Sequence, residues 1–450
     1  MKRTRHHLLA AAALCSLTAT LASTASASNV LPQGVKETAI DMRYSYPNTN
    51  KVLWGETDLA YVNLTGPTIA DYQNVLYFWH QAGTASTDWG GGWAASTNLT
   101  QIGGASALAA SAPSIATGNT NQSVVVAWQG TNGGLWLSWA TAPGVPFRTV
   151  QISAAPLVAA PAVAMDSTGI VYLAAMTNDG LEYYQFPLSA VTAANGKTWA
   201  PSSAQFGWAT QPFVSQYIGS SQPAIIVRPF SNDPLVGNIA GTYGEVDIAF
   251  QGSGSSLYYI HKGNSGVSFS TPALVSNLAN SAPSMAFRRN TNGGPFGPGE
   301  IDIVCATQSV ALGWYGLAYY YAIPSSAWQG GVIGNAIVGS APSLTVDPSS
   351  GIAYVAANDN NAEGVVYEAR PGTAWSSSDI INEQGNYDWE MGLPTILAHG
   401  DGTVQVISDK PGASSPNPAY NTSYPIYSTT TSPTTGWVTF WPEPSPVDLF

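Results

Sequence analysis

Seven times along this chain a small or polar residue is followed by proline and then by an alternating apolar run. The prolines are Pro67, Pro113, Pro161, Pro223, Pro283, Pro342 and Pro394. Ala112-Pro113-Ser114-Ile115-Ala116 and Ala282-Pro283-Ser284-Met285-Ala286 show the phrase plainly. The intervals are 46, 48, 62, 60, 59 and 52 residues, and 56 residues follow the last proline. A unit of roughly 40–60 residues holding several short strands marks a β-propeller blade. Seven units predict an all-β fold, a seven-bladed β-propeller of four-stranded antiparallel blades. Such rings host enzymes and binders alike, so function must be argued from the site.

The second repeat gives the anatomy of one unit. Four strands are expected, at Ser114–Ala116, Val124–Trp128, Leu135–Trp139 and Arg148–Ile152. Between the second and third, Asn132-Gly133 suits a tight hairpin with positive φ. Asp166-Ser167-Thr168-Gly169 and Asn178-Asp179-Gly180 punctuate the third repeat in the same way. These acidic and amide residues read as turn chemistry, because a calcium loop needs a longer run of oxygen ligands. Two readings of ring closure stand side by side. Asn29 to Thr65, with strand-like Thr38–Met42, completes the last blade or caps the ring. Alternatively Gly436–Phe440 supplies the last outer strand.

Residues 1–27 read as a secretory signal peptide. Lys2, Arg3 and Arg5 precede the apolar run Leu8–Leu21, and Ala25-Ser26-Ala27 offers a cleavage site. Residues 28–450 are then one propeller domain, secreted and extracellular, and no later run is long and apolar enough to insert in a membrane. Without the leader, 11 Lys and Arg face 26 Asp and Glu, a net charge of −15. That balance argues against nucleic acid and anionic membranes as partners. One cysteine remains, Cys305, in the alternating run Ile301–Ala306, where a buried and inert thiol is expected. The three remaining histidines, His80, His261 and His399, are scattered, so neither a metal site nor a cofactor is expected.

Ser86-Thr87-Asp88-Trp89-Gly90-Gly91-Gly92-Trp93 fits the pattern known as the Asp box, and Thr192–Trp199 and Lys262–Phe269 are degraded copies. Its polar side chain is expected to bond turn amides and its aromatic to pack between blades. This motif resembles the turns of sialidase-type propellers. Val126-Ala127-Trp128-Gln129-Gly130-Thr131-Asn132-Gly133-Gly134-Leu135-Trp136 resembles the repeats of bacterial seven-bladed propeller lectins of the fucose-binding type, and Ala249–Tyr258 repeats it. The resemblance implies a glycan as partner.

In a four-stranded blade the second-to-third turns and the connections between blades share one face, here called the upper face. A sialidase needs three arginines converging on a carboxylate, and the positions of Arg148, Arg228, Arg288, Arg289 and Arg370 place none on that face. Glycoside hydrolysis or polysaccharide cleavage would need paired carboxylates, for which Asp388 and Glu390, around Trp389, are the candidates. The preferred reading is a binder without catalytic residues. Amides and aromatic platforms suit neutral sugars, and the candidates are Trp128, Gln129, Asn132, Asn178, Gln251, Gln308, Trp314 and Trp389. Gln81 and His80 are placed with them on the upper face.

Overall fold

The described residues of the computed structural model form seven antiparallel sheets, strung along the chain in order. They comprise 38–45, 54–63, 75–82, 97–118, most of 123–201, 219, 221–228, 244–263, 268–288, 299–308, most of 315–358, 364–369, 375–379, 394–398, 404–410, 424–430 and 438–440. The first sheet runs through strands Thr38–Ser45, Trp54–Asn63, Val75–Ala82 and Thr97–Asn98. The second has Ser114–Gly118, Ser123–Gln129, Leu135–Ala140 and Arg148–Ser153, and the third Ala162–Met165, Ile170–Thr177 and Gly180–Pro187. The fourth has Ala224–Val227, Val246–Gln251, Leu257–Lys262 and Ala273–Ser276. The fifth has Ser284–Arg288, Glu300–Gln308, Tyr315–Ala322 and Gln329–Asn335, and the sixth Ser343–Val346, Ala353–Asn358, Gly364–Ala369 and Ser376–Asp379. Thr395–Ala398, Val404–Lys410, Tyr424–Thr430 and Val438–Phe440 make the seventh.

The first strands of successive sheets lie side by side, and that of the seventh lies beside that of the first. The sheets therefore close into a ring, the arrangement of a β-propeller. Each first strand is an inner edge, which explains the recurrent proline. Proline lacks an N–H, and an edge strand can start without that donor. The serine after it replaces part of the missing pairing between sheets. Ser114 Oγ accepts the Val163 N–H at 3.0 Å, Ser284 Oγ the Leu344 N–H at 3.0 Å, and Ser343 Oγ the Ile396 N–H at 3.2 Å.

The core lies between sheets. Val125, Leu137 and Val150 of the second sheet pack with Val171, Leu173 and Phe186 of the third. Similar clusters join the third to the fourth and the fourth to the fifth. In the fourth, fifth and sixth sheets an aromatic just ahead of the fourth strand reaches the third strand of the preceding sheet. Phe269 meets Tyr183, Trp328 meets Tyr259 and Trp375 meets Tyr319, all edge to face at 4.8–5.0 Å. Cys305 is buried here, and burial pushes its thiol up to about 12.

Two features differ from the sequence reading, the frame of the first sheet and the strands of the third, and of the two closures offered the one that uses Gly436–Phe440 as the last outer strand is the one found. The first sheet begins at Thr38, so the Pro67 phrase falls between its second and third strands, outside the described residues. Both ends of the chain use their own strands, with Thr38–Ser45 innermost in the first sheet and Val438–Phe440 outermost in the seventh. The third sheet has three strands among the described residues. The segment that follows, Asn195–Trp199, runs along the outer strand of the second sheet instead. Gln151 N–H donates to Lys197 O at 3.0 Å, and Trp199 N–H donates to Gln151 O at 2.8 Å. Asn195 Oδ1 accepts from Thr149 N–H at 3.2 Å, so this Asp-box-like side chain bonds a neighbouring sheet rather than its own turn.

Candidate functional site

On the upper face three of the connections between sheets are laced by hydrogen bonds to neighbouring strands and turns. Between the second and third sheets, Leu157 N–H donates to Gly133 O and Val158 N–H to Met176 O, both at 2.9 Å. Between the first and second, Thr131 N–H donates to Leu108 O at 2.8 Å and Ala110 N–H to Gln129 O at 2.7 Å. Between the fourth and fifth, Asn280 N–H donates to Ala306 O at 2.8 Å, and Thr307 Oγ1 donates to Leu278 O at 2.8 Å. A rigid rim of turns results.

This lacing occupies several residues expected to meet a ligand. Gln129 Nε2 donates to Leu157 O at 2.7 Å, and Gln251 Nε2 donates to Ala279 O at 3.0 Å. Both amides therefore hold the connection into the next sheet. Trp128, expected as a stacking platform, is fully buried. Its indole N–H donates to Ala107 O at 2.7 Å and its ring stacks on Trp136 at 6.5 Å. A residue with no surface cannot stack on a sugar, so Trp128 is core.

The register also separates Gln308 from the other two glutamines. Ser284 pairs with Val304 as Ser114 pairs with Ala127, so Ala306, not Gln308, corresponds to Gln129. Gln308 ends the second strand of the fifth sheet, opposite Tyr315. Trp314, Trp389, Asp388 and Glu390 lie outside the described residues. His80 moves to the other face. It lies on the third strand of the first sheet, opposite Asp58 near the start of the second, and Gln81 follows it. The shift in the first repeat's frame is the cause.

Two candidates stay exposed on the upper face. Asn132 sits in the 131–134 turn. Its Oδ1 accepts from Gly134 N–H and Trp136 Nε1, both at 3.1 Å, which shapes the turn. Asn178 and Asp179 form the tip of the turn between Thr177 and Gly180 and are exposed. The connection through Pro156 and Leu157 runs between these two tips. Its bonds fix both tips to one strip of backbone.

The opposite face carries buried charge that the sequence reading did not single out. Arg228 directly follows the first strand of the fourth sheet. It donates to Asp247 through Nε at 2.8 Å and Nη2 at 2.9 Å, and Nη1 lies 3.1 Å from Glu245. Tyr259 OH donates to the same Asp247, and the His261 ring contacts Glu245 through Nδ1. The fifth sheet repeats the set. Arg288 donates to Asp302 through Nε at 2.8 Å and to Tyr319 OH through Nη2 at 2.7 Å, with Glu300 3.5 Å away. Burial pushes Asp302 up to about 8 against the pull of Arg288. Each arginine is buried against carboxylates of its own sheet, so neither can take part in a carboxylate clamp. The signal was legible as Arg, then Glu-x-Asp, then Tyr, in both repeats. Among the described residues no group of three His, Cys, Asp or Glu side chains could hold a metal ion.

No family model matches the chain, and no curated protein matches it. Solved structures do. The BP39L lectin from Burkholderia pseudomallei is similar over 91% of this chain and 100% of its own, with a TM-score of 0.58 and 15% identity. AofleA from Arthrobotrys oligospora matches 73% of this chain and 86% of its own, at a TM-score of 0.45 and 14% identity. A fungal lectin from Aleuria aurantia, described as a six-bladed β-propeller, covers 73% of this chain and 95% of its own, at 0.43 and 14%. The first of these likenesses supports the ring fold.

Proposed function

We propose that the chain is a secreted carbohydrate-binding protein, a seven-bladed β-propeller that takes neutral glycans on its upper face. The observation that carries this reading is the likeness to the BP39L lectin along the whole of that protein's length. The proposed contacts are Asn132 and Asn178, with Gln308, Trp314 and Trp389 as further candidates. The oxygen of Asn132 is taken up in its turn, leaving its amide N–H groups to donate to a hydroxyl. An exposed carboxamide such as Asn178 offers a donor and an acceptor, and an aromatic ring offers a face to the apolar side of a pyranose. Repeated weak sites around one ring would gain from multivalency.

A glycan array with residues 28–450 tests the reading, run beside the Asn132→Ala, Asn178→Ala double variant with its folding checked by thermal melting. The expected result is selective binding to neutral glycans, weakened about tenfold in the variant, the effect of one or two lost hydrogen bonds. A blank array would contradict the proposal. It would favour cleavage by Asp388 and Glu390, tested by release of reducing ends from polysaccharides.

A further inference from the structure

The charged end of the fourth sheet contains one group that can change its charge near neutral pH and is also reachable from solvent. His261 lies on the third strand with its side chain 47% exposed, and its Nδ1 contacts Glu245 Oε1. The ring lies flat against Tyr259, with centroids 5.9 Å apart and planes 10° apart. Tyr259 is in turn bonded to Asp247 and covered by Trp328 of the fifth sheet. The backbone is held as well. His261 N–H donates to Ser270 Oγ at 3.1 Å, and Ser270 N–H donates to His261 O at 2.8 Å.

The charge count makes this contact conditional. Among the described residues, the ionisable groups facing the imidazole are Arg228 just after the first strand, Glu245 just ahead of the second, Asp247 on the second, and Tyr259 from its own strand. Lys262, the next residue, points to the third sheet, where its Nζ donates to Gln185 Oε1 at 3.0 Å. With a neutral imidazole and both carboxylates ionised, the cluster carries one uncompensated negative charge. One proton, on His261 or on Asp247 whose carboxyl burial pushes up, balances it, and of the two only His261 is half exposed. The fifth sheet has the same arginine and the same two carboxylates, but Tyr321 stands where His261 does, opposite Asp302. Its hydroxyl donates to Gln329 instead.

We propose that His261 and Glu245 form a proton-operated latch, closed at mildly acid pH and released as pH rises. The latch ties Glu245, just ahead of the second strand, to the end of the third strand, whose backbone at His261 is bonded to Ser270. The proton comes from solvent to the imidazole and returns there on opening. The Glu245 hydrogen bond, outweighing burial, holds the His261 pKa above its ordinary 6.5. Burial acts to raise Glu245, but His261 and Arg228 hold it below its ordinary 4.5. A raised histidine stabilises fully below 6.5 and loses that effect as pH climbs through its folded value. A lowered carboxylate stabilises above 4.5 and loses it as pH falls through its folded value. The latch is therefore strongest between about 4.5 and 6.5.

The test is an NMR titration of the imidazoles in residues 28–450 labelled at histidine, beside E245Q and H261Q. Signals of His261 are identified by their loss in H261Q, or by elimination with H80Q and H399Q if that variant does not fold. The expected result is a His261 midpoint above 6.5 that falls in E245Q. In parallel, the thermal midpoint should drop between pH 6 and pH 8.5, and H261Q should shrink that drop. A His261 midpoint that is the same with and without the Glu245 carboxylate overturns the proposal. So does a drop in thermal midpoint of equal size in H261Q.

Discussion

In the fourth sheet Arg228 meets Asp247 with two nitrogens and Glu245 with a third. In the fifth, Arg288 meets Asp302 through Nε alone and spends Nη2 on Tyr319. The two sheets thus bury the same charges with different completeness. In the fourth, a fork of parallel hydrogen bonds and a half-exposed imidazole absorb both carboxylates. In the fifth, a single hydrogen bond joins Arg288 to Asp302 and, among the described residues, no imidazole stands beside it, while burial pushes the carboxyls of both Asp247 and Asp302 up. The lesson is that a repeated residue set does not repeat its electrostatics. One neighbour on the third strand, His261 or Tyr321, decides how each sheet accommodates its extra negative charge.

The largest expected effect is on Arg228. Replacing it with methionine leaves Asp247 and Glu245 buried without their cation and should cost about 3–5 kcal/mol in denaturant unfolding. Arg288→Met should cost less, because Arg288 makes one hydrogen bond to Asp302 where Arg228 makes two to Asp247. Equal losses would break the comparison. Asp302→Asn comes next, read by pH. A carboxyl whose folded pKa is raised stabilises below its unfolded value and loses that effect as pH rises through its folded one. The thermal midpoint of the native chain should therefore fall between pH 4 and about 8 through Asp302, and D302N should flatten that fall. Unchanged slopes would mean that the proton is not held there.

Tyr319→Phe removes an acceptor from Arg288 and should cost about 1–3 kcal/mol, the penalty for a buried group left without its partner. Ser114→Ala should cost about 1 kcal/mol by orphaning the Val163 N–H on the inner ring. Calorimetry that shows no change would remove the serine from the account of ring closure. The smallest effect sharpens the comparison most. Tyr321→His offers the fifth sheet the imidazole it lacks and should steepen the loss of stability above neutral pH by a measurable but slight amount.

Local chemistry was legible where it decides structure alone. The strands expected in the second repeat match the observed ones to within two residues, because alternation and the Asn132-Gly133 hairpin are properties of neighbouring residues. The first repeat was misframed because Gly66-Pro67 followed by apolar residues imitates a strand start, and only pairing partners show that Thr38–Ser45 takes that place. The tasks of Gln129 and Gln251 were hidden for a related reason. Each amide bonds a carbonyl 28 residues further on, and no pattern in the sequence points there. The burial of Trp128 follows from a neighbouring connection at Ala107. Asn132 and Asn178 remained candidates because hairpin tips are exposed by construction.

The central claim, that the upper face of this ring takes a neutral glycan, is tested most directly by a crystal structure of residues 28–450 with the tightest glycan from the array. The account predicts sugar density against the 131–134 and 177–180 turns, with hydroxyls within hydrogen-bond reach of Asn132 or Asn178. Sugar bound only at the opposite end of the sheets, beside the arginine clusters, would contradict it.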